Sequence, residues 1–386
     1  MRILHTADWH VGRTIRGRSR AEEHEAVLAE IVAIAAEHAV DLVLVAGDQF
    51  DTAAPSPEAE RIVWRALLDL AATGARVVVV AGNHDNPSRL AAVAPLLAAN
   101  GVVVGAGVVR PGDGGVVDVP TPSGERARVA LLPFLSQRAV VRADELMRAA
   151  ADQHAGHYDQ RVRNVVAALC GGFGPDTVNL VVSHLFVSGG VVGGGERSAH
   201  TIFEYAVAAT AFPATAHYVA LGHLHRAQRI PAPAPVHYAG SPLQLDFGET
   251  ADAKSVTLVD AAPGRPAEVR TVALTAGRRL RTLRGTLDQL EAQAGTTGDD
   301  YLRVVVVGDR RAGLGELVRG WFPEAVDVGV EMPERRADEA APPRLGRSPA
   351  ALFDEYLAER SAADERVSAL FAALLEDATA GDGATA

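Results

Sequence analysis

The sequence predicts a layered α/β protein with a small second module and a helical tail. Up to about residue 250, short runs of β-branched and other apolar residues, such as Leu42 to Val45, alternate with amphipathic helical stretches. This alternation is typical of a domain in which helices cover a sheet. It recurs on a smaller scale in residues 271–330, and two more helical stretches follow in the tail.

The elements of the main domain follow one another in a regular order. Apolar runs predict strands near residues 3–4, 42–45, 77–80, 102–104, 129–132, 180–182, 219–221 and 236–238. Helical periodicity predicts helices near residues 21–38, 57–72, 88–99, 144–169 and 202–209. The glycine-rich run at residues 188–195 predicts a mobile loop.

The rest of the chain divides into shorter segments. Strands are expected at residues 280–284, 301–307 and 325–330, with helices near 286–293 and 312–321 between them. Residues 331–349 are charged and rich in proline, which is typical of a linker. Helix starts are expected at Ser348-Pro349 and at Ser361, which forms a capping-box pattern with Asp364. We therefore expect a core at 1–270, a small module at 271–330, a linker at 331–349, a helical tail at 350–376 and a disordered terminus at 377–386.

Composition places the chain among ordinary globular proteins, with 48% hydrophobic and 22% charged residues. The single cysteine, Cys170, excludes an internal disulfide and favours a reducing compartment. Asp8 follows the first apolar residues too closely for a signal peptide, and the apolar runs are too short to span a bilayer. We therefore expect a cytoplasmic protein. The net charge of −11 does not exclude a nucleic-acid ligand, because residues 348–386 alone contribute −6 of that charge.

Five of the predicted strands are followed by side chains that can bind a metal ion. These are Asp8, His10, Asp48, Asn83, His184, His223 and His225. The loops that leave the carboxyl ends of strands in a wound α/β sheet converge on one crevice, so these side chains are expected to meet. Each alone has an ordinary explanation as a cap, a turn former or a buried histidine. It is less plausible that all seven side chains follow strands by chance. In addition, Gly47, Gly82 and Gly222 indicate tight turns beside them.

The kinds of ligand indicate a pair of transition-metal ions. Imidazole, carboxylate and amide groups together suit Mn, Fe or Zn better than Mg, which prefers oxygen ligands alone. Seven ligands are too many for one ion but fit two ions that share a carboxylate. Two metals about 3.5–4 Å apart clamp a phosphate and activate a bridging water. The sequence therefore predicts chemistry at a phosphate.

The motifs that carry these residues resemble those of the calcineurin-like metallophosphoesterases. The stretches at residues 1–10, 46–52 and 81–85, with Ser183-His184 and Gly222-His-Leu-His225, indicate this superfamily. Within it, the opening Asp8-Trp9-His10 and the stretch at residues 238–249 are similar to the SbcD family of bacterial nucleases, which is related to the eukaryotic meiotic-recombination-eleven nuclease. The resemblance implies a four-layer α/β/β/α sandwich, with the module at 271–330 as a small α/β cap domain over the site.

The resemblance also assigns roles to the site residues. It implies that one metal binds to Asp8, His10 and His225, that the other binds to Asn83, His184 and His223, and that Asp48 bridges them. His84 would protonate the leaving 3′ oxygen or stabilise charge on the phosphate. Asp51 stands where archaeal and eukaryotic relatives carry a second catalytic histidine. The bacterial branch tends to have Asp there, which makes Asp51 the other catalytic candidate.

The implied activity is that of a dimetal-dependent DNA nuclease with two Mn²⁺ ions as cofactors. By resemblance it is a 3′-to-5′ exonuclease on duplex ends and an endonuclease on single strands and hairpins. Such nucleases act with an SMC-like ATPase subunit of the SbcC type in DNA end processing during replication, recombination and repair. We therefore expect DNA and this ATPase as partners, a homodimer within a heterotetramer, nucleoid association and no membrane. The chain has no phosphate-cradling ATP motif, so any nucleotide is expected to bind the partner.

Two further sets of residues are candidates for binding. The arginines that follow the first metal loop either grip DNA phosphates or form a solvated surface loop, and they are Arg13, Arg16, Arg18 and Arg20. In the tail, apolar residues at helical spacing are expected to dock onto the ATPase near the root of its coiled coil. They are Phe353, Tyr356, Leu357, Leu370, Phe371 and Leu374. The alternative is that the tail folds back on the cap or pairs across a homodimer.

Two other functions compete with a DNA nuclease. A phosphodiesterase or phosphatase of small esters would share the metal site but would need no cap, arginine loop or helical tail. A non-catalytic scaffold with the same fold would have lost metal ligands, and none is missing here. Comparing hydrolysis of a small phosphodiester with that of duplex DNA tests the first alternative, and metal analysis of the purified chain tests the second.

Overall fold

Two six-stranded mixed sheets, packed face to face and covered by helices, dominate the larger of two structural units. The computed structural model describes residues 1–121, 124–147, 158–196, 205–332, 349–359 and 364–381. The larger unit is Met1–Glu331, and the second unit is Met332–Ala386.

The secondary-structure elements are as follows. The strands are β1 (Arg2–Thr6), β2 (Thr14–Ile15), β3 (Arg18–Ser19), β4 (Leu42–Val45), β5 (Arg76–Val80), β6 (Val102–Gly105), β7 (Val116–Pro120), β8 (Arg126–Leu132), β9 (Val178–His184), β10 (Tyr218–Gly222), β11 (Gln228–Ile230), β12 (Val236–Tyr238), β13 (Ser255–Ala262), β14 (Arg265–Ala273), β15 (Leu280–Gly285), β16 (Tyr301–Val307) and β17 (Ala325–Glu331). The α-helices are α1 (Ala21–Glu37), α2 (Pro57–Ala72), α3 (Pro87–Ala98), α4 (Gln137–Met147), α5 (Tyr158–Cys170), α6 (Leu287–Glu291), α7 (Leu314–Trp321), α8 (Pro349–Glu359) and α9 (Glu365–Gly381).

The first sheet contains the earliest strands of the chain. Its order is β14-β13-β1-β4-β5-β6, in which β1, β4, β5 and β6 are parallel and the β13–β14 hairpin is antiparallel. Helices α2 and α3 begin at side-chain caps, since Ser56 and Asn86 accept hydrogen bonds from backbone N–H groups of the first turn and a proline follows each cap. The parallel order places the carboxyl ends of β1, β4 and β5 side by side.

The second sheet supplies the other half of the site. Its order is β11-β12-β10-β9-β8-β7, with β8, β9, β10 and β12 parallel and an antiparallel strand at each edge. Strands β9 and β10 end together, because His184 is paired with Gly222. Helices α4 and α5 cover its outer face.

The alternation of side chains along each strand builds the layers. In β4, Leu42 and Leu44 lie in the apolar layer between the sheets, whereas Val43 and Val45 face the helices of the first sheet. Leu180 of the second sheet packs into the same middle layer. The four-layer α/β/β/α sandwich implied by the sequence motifs is therefore confirmed.

Residues 280–331 form a small α/β module within the larger unit. Its three parallel strands have the order β15-β16-β17, and α6 and α7 pack on them around Leu302, Val304 and Val318. These elements agree with the strands and helices expected from the sequence. A small apolar cluster joins the module to the sandwich, and its buried members are Ile15, Phe247, Leu280 and Tyr301.

Two helices differ from the sequence expectation. The helix expected at 144–169 is two helices, α4 and α5, and residues 148–157 between them lie outside the described residues. In the described part of the helix expected at 202–209 there is no α-helix. Val207 instead forms a bridge with Val187, and Ala209–Ala211 is a 3₁₀ turn. Tertiary pairing therefore replaces the local helical preference at this point.

Side chains anchor the glycine-rich loop at 188–195, for which composition predicts mobility. The side chain of Gln228 accepts a hydrogen bond from the N–H of Val191 and donates one to its carbonyl oxygen, each over 2.8 Å. The N–H groups of Gly193 and Gly194 donate to the carboxylate of Glu196 over 2.6 and 2.7 Å. Side chains outside the glycine run supply the contacts that its composition does not reveal.

The second unit contains α8 and α9. Phe353 of α8 stacks on Phe371 of α9 with ring centroids 4.0 Å apart. Helix α9 continues to Gly381, past the end expected at residue 376, and residues 382–386 and most of the expected linker lie outside the described residues. None of the helices in the described parts of the chain is long and apolar enough to cross a membrane.

Candidate metal centre

The seven metal-binding side chains expected from the sequence meet at one edge of the paired sheets. From the first sheet, the loops after β1, β4 and β5 carry Asp8, His10, Asp48 and Asn83, and from the second sheet β9 and β10 lead to His184, His223 and His225. Six of the seven are buried, and Asn83 is half-buried. The convergence expected from the strand ends is therefore present.

Several residues at this edge have a positive φ angle, a backbone conformation that non-glycine residues seldom adopt. The φ angles are 54° at Asp8, 47° at His10, 52° at Asp48 and 105° at His223. Four of the six non-glycine residues with positive φ in the described chain are thus candidate ligands. Strain of this kind costs about 1–3 kcal/mol per residue and concentrates at functional sites. It argues against the explanation of Asp8 and Asp48 as ordinary caps.

Glycine is required where the ligand loops approach one another. A Cβ atom at Gly47 would overlap the ring of His184, and one at Gly82 would overlap the carboxylate of Asp48. At Gly222, a Cβ atom would overlap the carbonyl oxygen of Ala46. These are the three glycines that the sequence indicated as tight turns beside the site.

Asp48 lies between two groups of ligands. Its Oδ2 atom is 3.5 Å from Nε2 of His10 and 3.4 Å from Nε2 of His184. Two sets of side chains have ligand atoms within 4.8 Å of one another, His10-Asp48-His84 and Asp8-Asp48-His184. Asp48 belongs to both sets, as is expected of a carboxylate that two ions share.

The rings around Asp48 form the two sides of the site. The ring of His10 packs against those of His84 and His225, with centroids 4.6 and 4.9 Å away. On the other side, Oδ1 of Asn83 lies 2.9 Å from Nε2 of His184 and 2.8 Å from Nδ1 of His223. Nitrogen and oxygen ligands are thus present on both sides.

Several buried polar atoms in the site lack a hydrogen-bond partner among the described residues. They are Oδ2 of Asp8 and Nε2 of His10. The other carboxylate oxygen of Asp8 accepts a hydrogen bond from the N–H of His223 over 2.9 Å. Unsatisfied buried polar groups are costly, and these are atoms that a divalent cation would coordinate. The residues present therefore fit a pair of divalent metal ions.

Hydrogen bonds to carbonyl groups determine the tautomers of two histidines. Nδ1–H of His184 donates to the carbonyl oxygen of Ala46 over 2.8 Å, and Nδ1–H of His84 donates to that of Asp51 over 2.6 Å. Because a carbonyl oxygen only accepts, each Nδ1 carries the proton. The lone pair of each neutral ring is therefore on Nε2.

Burial and neighbouring charges shift the pKa values of the site in opposite directions. Burial raises the pKa of Asp8 to about 7 and lowers that of His10 to about 4. Burial also opposes the charged forms of Asp48 and His184, but the attraction between them prevails. The pKa of Asp48 lies well below its usual value, and that of His184 rises to about 9. Perturbed groups of this kind in one buried cluster are typical of functional sites.

The carboxylate of Asp51 links the site to the arginines that follow it. It lies 3.5 Å from Nδ1 of His10 and 3.1 Å from Nη1 of Arg13. Burial opposes its ionisation, but the hydrogen bond with His10 and the charge of Arg13 lower the pKa of Asp51 to about 2. Asp51 therefore remains ionised beside His10.

Asp85 is a site residue that the sequence reasoning missed. Its carboxylate accepts hydrogen bonds from the N–H groups of Gly82 over 2.7 Å and Phe50 over 3.1 Å, so it ties together the loops after β5 and β4. Burial raises the pKa of Asp85 to about 7. Its position directly after Asn83-His84 was the available signal.

Glu249 is the second residue missed. It is fully buried, and its Oε1 atom accepts a hydrogen bond from Nδ1–H of His225 over 2.9 Å. Burial opposes its ionisation, but the hydrogen bond from His225 and the charge of Lys254 lower the pKa of Glu249 to about 2. An acid at the end of the stretch 238–249 was the only sign in the sequence.

The suggestion that Arg20 grips DNA is wrong. Its side chain is buried, and Nη2 lies 2.8 Å from Oε2 of Glu23. Its guanidinium also donates to the carbonyl oxygen of Gln244. Arg20 therefore holds the start of α1 against the core, a role that a sequence pattern of spaced arginines cannot distinguish from phosphate binding.

The other three arginines are more accessible, and each makes an ion pair. Arg13 pairs with Asp51, as described above. On the β2–β3 hairpin, Arg16 lies 3.1 Å from Asp327, and Arg18 lies 2.6 Å from Glu324. The hairpin is thus attached to the small α/β module, with half of the Arg16 side chain exposed.

The six tail residues separate into two groups. Phe353 and Phe371 stack on each other and Leu357 is buried, whereas Tyr356, Leu370 and Leu374 are 48%, 61% and 58% exposed. The stacked rings of Phe353 and Phe371 hold the two tail helices together. The side chains of the second group lie at the surface of this unit.

Comparisons with known proteins agree with the site. The model of the calcineurin-like phosphoesterase family matches residues 1–227, a range that contains all seven candidate ligands. The chain is 41% identical over 286 residues to the SbcD subunit of the nuclease SbcCD from Bacillus subtilis (strain 168), and the match covers 72% of this chain and 71% of that protein.

Two further relatives carry the same name. The protein from Escherichia coli (strain K12) is 33% identical over 302 residues, covering 76% of this chain and 73% of that protein. The one from Rhodobacter capsulatus is 32% identical over 383 residues, covering 92% of this chain and 93% of that protein. The chain therefore belongs to the SbcD family of calcineurin-like phosphoesterases and is a metal-dependent phosphodiester hydrolase.

Proposed function

We propose that this chain is a Mn²⁺-dependent DNA nuclease, a 3′-to-5′ exonuclease on duplex ends and an endonuclease on single strands and hairpins. The observation that carries the proposal is the position of Asp48, whose Oδ2 atom lies 3.5 Å from His10 and 3.4 Å from His184 in two different ligand groups. The choice of DNA is supported by the relatives, which are named nuclease subunits.

The proposed ligand assignment is the one that the family resemblance implies. One ion would be held by Asp8, His10 and His225, the other by Asn83, His184 and His223, and both would share Asp48. The mixture of imidazole, carboxylate and amide ligands suits Mn²⁺. When bound, such a metal pair polarises the phosphate and makes water acidic enough to supply a hydroxide.

His84 is proposed as the general acid. Its backbone N–H donates to Oδ1 of Asp48 over 2.8 Å and its Nδ1–H donates to the carbonyl oxygen of Asp51 over 2.6 Å, so both the loop and the ring are held. In the imidazolium form, Nε2–H of His84 donates a proton to the leaving 3′ oxygen. The carbonyl oxygen of Asp51 orients the ring of His84, and the carboxylate of Asp51 orients the ring of His10. Asp51 is therefore proposed as a positioning residue.

The arginines after the first metal loop are proposed to contact the DNA backbone. A cavity of about 280 Å³ beside the site is lined by Arg13, Arg16 and Asp51, among others. Arginine is suited to phosphate because its planar guanidinium donates two parallel hydrogen bonds. We propose Arg13, Arg16 and Arg18 for this contact and leave out Arg20.

The tail is proposed to dock onto an SMC-like ATPase subunit of the SbcC type, within a heterotetramer that contains two copies of this chain. Tyr356 of α8 and Val367, Leu370 and Leu374 of α9 are exposed, and the three α9 residues recur at the spacing of one helix face. An exposed apolar stripe of this kind suits binding in a groove of a partner. Cytoplasmic, nucleoid-associated DNA end processing would be the setting.

The proposal is tested by incubating the purified full chain with Mn²⁺ and end-labelled duplex DNA, hairpin DNA or bis(p-nitrophenyl) phosphate. We expect release of nucleotides from the 3′ ends of the duplex, cleavage of the hairpin, and loss of both activities with EDTA. Hydrolysis of the small diester without cleavage of either DNA would instead identify a small-molecule phosphodiesterase. No hydrolysis of any of the three, with no bound metal, would identify a scaffold.

A further inference from the structure

Lys254 is the only lysine in the chain, and it lies behind the metal centre. Only 9% of its side chain is exposed. Its Nζ atom donates to the carbonyl oxygen of His225 over 3.1 Å, to Oγ of Ser241 over 2.8 Å and to Oε2 of Glu249 over 2.7 Å. The ammonium group thus has three acceptors, the number of donors that it carries.

Glu249 connects this lysine to the ring of His225. Its Oε1 atom accepts from Nδ1–H of His225 over 2.9 Å, and its Oε2 atom accepts from Lys254 and from the N–H of Leu245 over 3.1 Å. Both carboxylate oxygens are therefore engaged, and the side chain cannot turn without breaking a buried hydrogen bond. The arrangement fixes the proton of His225 on Nδ1 and its lone pair on Nε2.

The anchored glycine loop shields this group from water. A Cβ atom at Gly195 would lie 2.6 Å from Oε1 of Glu249 and 2.9 Å from Nδ1 of His225, so only glycine permits so close an approach. Glu196, which anchors the loop, also accepts a hydrogen bond from the N–H of His225 over 3.0 Å. The hydrogen bond between Glu249 and His225 is therefore made in a buried place, where it is strong.

The acceptor of the ring N–H differs between His225 and His184, which lies on the other side of the site. Nδ1–H of His184 donates to the neutral carbonyl oxygen of Ala46, whereas Nδ1–H of His225 donates to a carboxylate. A carboxylate behind a ligating histidine orients the ring and increases its basicity, and losing it typically weakens metal binding about 10–100-fold.

We propose that Glu249 and Lys254 are positioning residues that orient His225 and strengthen the binding of one of the two metal ions. This rests on the proposed role of His225 as a ligand. Glu249 acts directly on the ring, and Lys254 acts by holding both the carboxylate of Glu249 and the backbone of His225.

The test is calorimetric titration of Mn²⁺ into the metal-free full chain and the variants Glu249→Gln and Lys254→Met. We expect two equivalents in the unaltered chain. In Glu249→Gln, one equivalent should bind about 10–100-fold more weakly while the other keeps its affinity. Lys254→Met should weaken the same equivalent, and Lys254→Arg should recover part of the loss because it restores a cation beside Glu249.

Asp144→Asn is the matched control. Asp144 is also a buried, ion-paired carboxylate of the larger unit, and it pairs with Arg161 between α4 and α5. It should lower the thermal midpoint without changing either Mn²⁺ affinity. Two equivalents of unchanged affinity in Glu249→Gln would overturn the inference, and so would an equal weakening in Asp144→Asn.

A second measurement does not depend on the Glu249 variant folding. Labelling with ¹⁵N-lysine gives one side-chain signal, that of Lys254, and paramagnetic Mn²⁺ should broaden it whereas Mg²⁺ should not. A signal unaffected by bound Mn²⁺ would overturn the placement of Lys254 behind the ion. If the unaltered chain binds no Mn²⁺ and cleaves no DNA, the proposed function itself fails. If it binds two and cleaves DNA while the variants match it, only this inference fails.

Discussion

The backbone N–H of His223 donates a hydrogen bond of 2.9 Å to Oδ1 of Asp8, although 215 residues separate them. Asp8 follows a strand of the first sheet and His223 follows a strand of the second, so this bond joins the sheets at the metal centre. It uses one oxygen of Asp8, and the other is the oxygen without a partner among the described residues. The site therefore exists only when both sheets are folded and packed, and metal binding should stabilise the folded chain.

Replacing His84 by glutamine tests its proposed role as an acid. His84→Gln should keep both metals and its affinity for DNA but slow cleavage by roughly 10²–10⁴-fold, the range for a lost acid–base group. The ligand atoms of His84 and His10 are close enough to share an ion, so the alternative role is that of a ligand. Metal analysis of the variant beside its cleavage rate distinguishes the two.

His38→Gln is a suitable control, because His38 lies beside Arg2, at the opposite end of β1 from the site. It should change neither rate nor metal content. A His84 variant that has lost one ion would show that His84 is a ligand. A variant that cleaves at the normal rate with both ions bound would show that it has no catalytic role.

The exposed face of the tail should carry the ATPase contact. Changing both Leu370 and Leu374 to aspartate, or deleting residues 348–386, should abolish co-purification with an SbcC-type ATPase and remove ATP-stimulated cleavage. Each buried apolar anchor of an interface contributes about 2 kcal/mol or more of binding free energy. Each of the two leucine substitutions alone should therefore weaken binding roughly 30-fold. Cleavage of single-stranded DNA with Mn²⁺ alone should be unchanged.

Leu96→Asp provides the matched control, since Leu96 is exposed on α3 of the larger unit. It should leave binding of the ATPase intact. Undiminished affinity of the truncated chain for the ATPase would mean that another surface makes the contact.

Stability should fall with acidification partly because of His5. Burial, with a smaller effect of His237, lowers the pKa of His5 to about 3, and its Nδ1 atom is hydrogen-bonded to the hydroxyl of Tyr218. The unfolded chain takes up a proton at His5 below about pH 6.5, whereas the folded chain does not. The contribution of neutral His5 to the free energy of unfolding is therefore complete above pH 6.5 and is lost as the pH falls toward 3.

The measurement is the free energy of unfolding of the metal-free chain by urea between pH 7.5 and pH 5. His5→Gln should show a shallower decrease than the unaltered chain, with a difference of about 1.4 kcal/mol per pH unit below pH 6.5. The slope is compared, so an overall loss of stability in the variant does not affect the result. Identical slopes would mean that His5 protonates equally in both states.

The strand ends and their ligands were predictable because two patterns coincide there. A buried strand such as β4 is a continuous apolar run, and the glycine and acid that follow it stand out against that run. Residues 42–45 and Gly47-Asp48 thus specify both the element and the site. The small α/β module was predictable for the same reason, since Val304 to Val307 form a similarly clear run.

Other features depend on contacts between residues distant in the sequence. Strands β13 and β14 were not expected, because β14 is largely exposed and has little apolar periodicity, and its pairing with β13 defines it. Arg20 looked like its neighbours until its pairing with Glu23 showed it to be buried. Glu249 became recognisable as a site residue only through its hydrogen bond to His225.

The most direct test of the account is the metal content of Asp48→Ala compared with that of His225→Ala. Asp48 serves both ions in the proposed site, so its loss removes a ligand from each and leaves two cations in repulsion. His225 serves one ion. Elemental analysis after Mn²⁺ loading and gel filtration should find two ions per chain in the unaltered protein, none in Asp48→Ala and one in His225→Ala. Two ions retained in Asp48→Ala would contradict a shared carboxylate and with it the proposed dimetal centre.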